Sequence, residues 1–103
     1  MNELLAVNWT GGGNAQITVL NDDHVTLLTT RPFAPGSRPE GTLGASALRM
    51  KTARCRLAKP EERTVMPQSE PVYLLEGRLL DASRAFRTAI SEALSPKPSE
   101  EPV

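Results

Sequence analysis

Residues 15–30 read Ala15-Gln-Ile-Thr-Val-Leu-Asn-Asp-Asp-His-Val-Thr-Leu-Leu-Thr-Thr30. Ala15, Ile17 and Val19 alternate with Gln16 and Thr18, the period of a strand with one buried face, and β-branched and leucine residues return from Val25 to Thr30. Between them stands Asn21-Asp22-Asp23-His24, four residues that tolerate turn backbone and whose side chains can satisfy it. The stretch predicts an antiparallel hairpin, and so a chain organised around strands.

On the amino-terminal side, the apolar run within Leu4–Thr10 stops at Gly11-Gly12-Gly13, a strong breaker, and predicts one further short strand. On the other side, Arg31–Gly44 holds three prolines and three glycines, which predicts a loop entering a strand near Thr42, with Phe33 as a plug. Leu48 and Met50 then alternate with Arg49 and Lys51, and Ala53, Cys55 and Leu57 alternate with Arg54 and Arg56. The apolar phase slips by one residue around Lys51-Thr52. No turn residue sits there, so the slip predicts a β-bulge inside one long strand. Lys59–Pro71 is polar and proline-containing and predicts a long mobile connection.

Strand character resumes from Val72 to Leu80, with Gly77 marking a second bulge. The period then changes. Ala82, Ala85, Phe86, Ala89, Ile90 and Ala93 fall on one face of a helix, capped by Asp81 or Ser83. The stretch from Ser95 has no apolar pattern and predicts a disordered tail over 95–103. The expected fold is mainly β: one domain over 1–94, a small barrel of five or six antiparallel strands with one C-terminal helix across an open end. These patterns leave the strand order open.

The chain has 103 residues, with 12 Lys+Arg against 12 Asp+Glu and no formal net charge. That length sets aside multidomain mechanisms, and the balance sets aside a long-range field drawing nucleic acid or anionic lipid. Electrostatic attraction must be local. Cys55 is the one cysteine, so no intramolecular disulfide forms, and a lone thiol suits a reducing compartment. The amino-terminal residues carry no basic region and no long apolar run, so neither a signal peptide nor a membrane span is expected. The reading is a cytoplasmic protein.

Chemistry-bearing residues are sparse. His24 is the one histidine and falls in the hairpin turn, where a solvated side chain explains it; metal sites need three or four ligands. On an alternating strand Arg54 and Arg56 face away from Cys55, so the thiol reads as a core residue. The triple glycine lacks the Lys-Ser/Thr of a phosphate loop. No catalytic constellation, metal site or cofactor is expected, and the protein is not expected to be an enzyme. The strongest charge feature is Arg31–Lys59, where seven basic residues meet only Glu40 for a formal +6. Arg49, Lys51, Arg54 and Arg56 are the candidate partner-binding residues, a basic strand face suited to phosphates or an acidic protein surface. Phe33 is the one ring in that stretch, whereas single-strand binders interleave several. The first strand is also a candidate edge for a homodimer.

The order of elements, with Thr29-Thr-Arg-Pro-Phe-Ala-Pro-Gly-Ser37, Gly41-Thr-Leu, the strand around Met50 to Leu57, and Tyr73-Leu-Leu-Glu-Gly-Arg-Leu-Leu-Asp81 before a helix, resembles a PilZ domain across roughly residues 15–94. Family members that bind cyclic di-GMP carry Arg-x-x-x-Arg before the first barrel strand and Asp/Asn-x-Ser-x-x-Gly in the early hairpin. Here no arginine precedes Arg31, and Val19, Asn21 and His24 stand where the acid, serine and glycine belong. No ligand residue carries over. The resemblance implies a degenerate, PilZ-like adaptor that binds another protein in bacterial surface motility, type IV pilus function or signalling. A single-stranded nucleic-acid-binding barrel and a cyclic di-GMP receptor with an atypical site near Arg31 or Arg38 are the alternatives.

Overall fold

The computed structural model describes residues 5–62 and 71–94. Six strands follow in order: β1 (Ala6–Trp9), β2 (Asn14–Asn21), β3 (His24–Thr29), β4 (Glu40–Leu43), β5 (Ser46–Leu57) and β6 (Tyr73–Leu79). A 3-10 turn (Pro60–Glu62) follows β5, and one helix, α1 (Arg84–Leu94), closes the described chain. The strands form a closed antiparallel barrel in the order β1-β2-β3-β6-β5-β4. The expected small barrel with one C-terminal helix is therefore the fold. The predicted tail over 95–103, and positions 63–70 of the predicted mobile connection, lie outside the described residues.

Alternation fills the barrel. Val7, Ile17, Leu27, Leu48, Met50 and Leu75 are all fully buried in one cluster, and Ile90 of α1 reaches into it. Burying a side chain of that size contributes about 2 kcal/mol. A satellite cluster of Leu28, Ala58 and Val72, with Leu74 against it, lies on the outer side of β3 and β6. It forms because Ala58 N–H donates to Val72 C=O at 2.8 Å, drawing both ends of the connection onto the barrel wall. Leu27 and Leu28 are thus both buried, on opposite faces.

One end of the barrel is closed by aromatic rings. Trp9 is buried and meets the half-buried Phe33 edge-to-face, with centroids 4.9 Å apart. Its Nε1 donates to Thr29 Oγ1 at 3.0 Å. The other end carries α1. Ser83 is the cap, its Oγ accepting from Phe86 N–H at 3.0 Å, while Asp81 stands before the helix at φ 55°.

Several expectations are corrected. His24 opens β3, paired with Asn21; the turn is Asp22-Asp23, with Asp22 at φ 64°. The β5 bulge lies between Thr52 and Arg54, one residue beyond its predicted place. Gly77 is not itself the bulged residue but stands opposite the β5 bulge, at the step where the register shifts. It pairs with Val25 and with Thr52, and a Cβ there would overlap Lys51 C=O and Met50 Cε, so close approach is what calls for glycine. The alanine stripe of α1 is only partly used: Ala85 and Ala89 are exposed, because the helix meets the barrel rim through Phe86, Ile90, Ala93 and Leu94. Cys55 is half-buried, packed at the margin of the core. β1 is no edge, since β2 and β4 pair with its two sides.

Candidate partner-binding face

A strand alternates faces, so odd-numbered Arg49 and Lys51 ought to oppose even-numbered Arg54 and Arg56. The bulge at Ala53 absorbs one residue and resets the phase. Thr52 faces inward and is buried, Cys55 packs towards the core, and the four cations emerge together on the outer wall. The sequence-predicted site residues are therefore gathered on one face. Arg78 joins them, directly opposite Lys51 in the register of β5 and β6. It was missed because β6 read as a core strand.

Acids from distant sequence meet this face. Arg49 Nη1 lies 3.0 Å from Asp81 Oδ2, and its Nε lies 3.6 Å from Glu40. Arg54 Nε donates to Glu76 across the β5–β6 pairing. Arg56 grips Glu62 with two hydrogen bonds of 2.8 and 3.0 Å, and Lys59 N–H donates to the same carboxylate at 2.7 Å. Arg78 pairs with Asp23 at 2.7 Å. Lys51 makes no ion pair among the described residues. Three cations of the strip predicted to oppose Glu40 alone, Arg49, Arg54 and Arg56, are thus paired with acids. Glu62, Glu76 and Asp81 all fall outside Arg31–Lys59, so a count along the sequence could not include them.

The titration behaviour follows these contacts. The Arg56 hydrogen bonds, then the Lys59 N–H, hold the Glu62 carboxyl down to about 2. The same pair raises Arg56 above its ordinary value. Asp23 is lowered, first by its hydrogen bond from Arg78. These groups are solvent-exposed ion pairs, weak individually and exchangeable with carboxylates from outside. Arg54 stays 79% exposed despite its partner.

Other chemistry-bearing candidates are dispersed or occupied. His24 lies 3.5 Å from Asp23, and no group of three or more His, Cys, Asp or Glu among the described residues could hold a metal. Arg31 lies over the Phe33 ring at 5.4 Å and donates to Gly12 C=O at 3.3 Å, so the glycine turn packs on an arginine. Arg38 is exposed on the same loop. A concavity of about 500 Å³ lies between α1 and the β4–β5 turn and is lined by Leu43, Ala45, Phe86, Ala89 and Ala93 among others. It accounts for the exposure of Ala89.

No protein-family model matches the chain, and no curated protein or solved structure matches it. No described helix is long and apolar enough to cross a membrane.

Proposed function

We propose that this chain is a non-enzymatic binding module that captures a protein partner through the outer face of β5. The observation that carries the reading is the Ala53 bulge, which turns Arg49, Lys51, Arg54 and Arg56 outward together. Bulges re-aim side chains, and this one puts on one face four cations that plain alternation would divide between two. Exposed arginines already held by carboxylates can exchange those partners for acids on another protein. The PilZ resemblance extends the reading to a degenerate, cytoplasmic adaptor in bacterial motility, type IV pilus function or signalling, one that does not take cyclic di-GMP by the usual motifs.

Affinity capture from the source cell, comparing wild type with the double variant Arg54→Glu/Arg56→Glu, tests this. The variant is expected to keep its far-ultraviolet circular dichroism and lose most of the captured partner. Undiminished capture by a folded variant removes this face from the account.

A further inference from the structure

We propose that the bare edge of β5 at Ala53–Leu57 accepts an extended peptide of alternating acidic and apolar residues as an added strand. This names the partner chemistry for the binding-module reading and rests on it. β5 runs for twelve residues, but β4 pairs only with its first four, Ser46–Arg49. The loop after β3 continues that edge a little further. Met50 N–H donates to Pro39 C=O at 3.2 Å, Thr52 N–H to Ser37 C=O at 2.8 Å, and Gly36 N–H to Thr52 C=O at 2.8 Å. Gly36, at φ 87°, and exposed Pro35 then lead the chain away. Beyond Thr52, no strand or backbone hydrogen bond among the described residues occupies that side of Ala53–Leu57; Leu57 C=O accepts from Arg56 Nη1 at 3.3 Å, a side-chain contact an added strand would displace.

The backbone phase is set by β6. Leu80 N–H donates to Arg49 C=O, whereas Leu79 N–H donates to Asp23 C=O, so even-numbered residues of this strand bond towards β5. Arg54 and Arg56, opposite Glu76 and Leu74, therefore turn their backbone groups inward to β6. Cys55 between them turns its N–H and C=O to the bare edge. The side chains specify what fits. Arg54 and Arg56 flank the edge on the outer face; Cys55 and the 62%-exposed Leu57 lie on the other face. A cleft of about 320 Å³ runs here, lined by Arg54, Cys55, Arg56, Leu74 and Glu76. An added strand would set alternate residues against the two arginines, where acids suit, and the intervening ones beside Cys55 and Leu57, where apolar residues suit.

Charge decides between occupants. Antiparallel pairing with a second copy centred on Cys55 sets Arg54 against the copy's Arg56 twice, and like charges directly opposite are destabilising. The same arginines guard the edge against indiscriminate pairing and leave it open to an acidic strand.

Fluorescence anisotropy with a labelled Glu-Val alternating decapeptide, and a Lys-Val counterpart as control, tests this on the full chain. Wild type is expected to prefer the acidic peptide at least tenfold. Arg54→Glu/Arg56→Glu, with its circular dichroism unchanged, should reverse that preference, and adding Cys55→Pro should abolish the gained binding. Cys55→Pro removes the outward N–H where an edge position tolerates proline, and should weaken the acidic peptide at least tenfold with the fold retained. Equal or absent binding of both peptides by folded wild type overturns the proposal, as does a dimer in sedimentation that Cys55→Pro dissolves. If cellular capture still requires Arg54 and Arg56 while the acidic peptide neither binds nor competes, the edge inference fails and the binding-face reading stands. Capture indifferent to both arginines sinks that reading instead.

Discussion

Thr29 Oγ1 accepts from Trp9 Nε1 and from Arg31 N–H at 3.0 Å each, and donates to Arg31 C=O at 2.9 Å. One fully buried hydroxyl thus joins the aromatic plug to the loop that brings Phe33 over it. Thr29→Val keeps the shape and strands the buried Trp9 Nε1–H and the part-buried Arg31 N–H, so stability should fall by about 1–3 kcal/mol. The check is a lowered denaturation midpoint at unchanged slope. Glu62 ties stability to pH. Its folded value of about 2 lies below its ordinary 4.5, so its contribution is fully present above pH 4.5 and is lost as pH falls towards 2. Nuclear magnetic resonance titration should place its midpoint near 2. Glu62→Gln should flatten the stability-versus-pH curve in that window, with a residual slope because Asp23 is shifted in the same direction.

Among the elements, α1 depends on its cap and on one anchor. Ser83→Ala removes the acceptor of Phe86 N–H and should cost about 1 kcal/mol, read as a lowered midpoint with local loss of amide protection in the first turn. Gly77→Ala should cost more, since the added carbon meets Lys51 C=O, which β5–β6 pairing holds in place. The hairpin, β5 and the helix were legible from their periods, β1 from an apolar run ended by glycines and β4 only as a strand near Thr42, which left the count at five or six; the β5 bulge was legible because alternation slips there. Gly77 was ambiguous: a strand glycine marks a bulge or a close approach, and only the neighbouring backbone decides. The alanine stripe was ambiguous for a related reason. Helical spacing tells which residues share a face, while burial requires something opposite, and α1 meets only a rim.

At the scale of the molecule, strand order and charge pairing both depend on contacts between distant positions, which local patterns do not encode. β3 pairs with β6 rather than with the next strand, which brings Arg78 to Asp23, while the β5–β6 pairing brings Glu76 to Arg54. The four candidate cations share their expected face, but Arg49, Arg54 and Arg56 of the predicted +6 strip are paired with acids, on a chain of zero net charge. Such a surface suits exchange with carboxylates at short range and gives little attraction to polyanions at long range. The nucleotide alternative faces a further obstacle. Arg31 is engaged by Phe33 and Gly12, and no arginine precedes it to stack on a guanine. Calorimetric titration with cyclic di-GMP at low micromolar protein, beside a motif-intact PilZ domain, should therefore give no saturable heat while the control responds. Saturable heat of micromolar affinity would require Arg31 to leave the Phe33 ring or Arg38 to take over its part. Repeating the titration with Arg31→Ala and Arg38→Ala would then assign that heat to one arginine and make the chain a receptor instead of an adaptor.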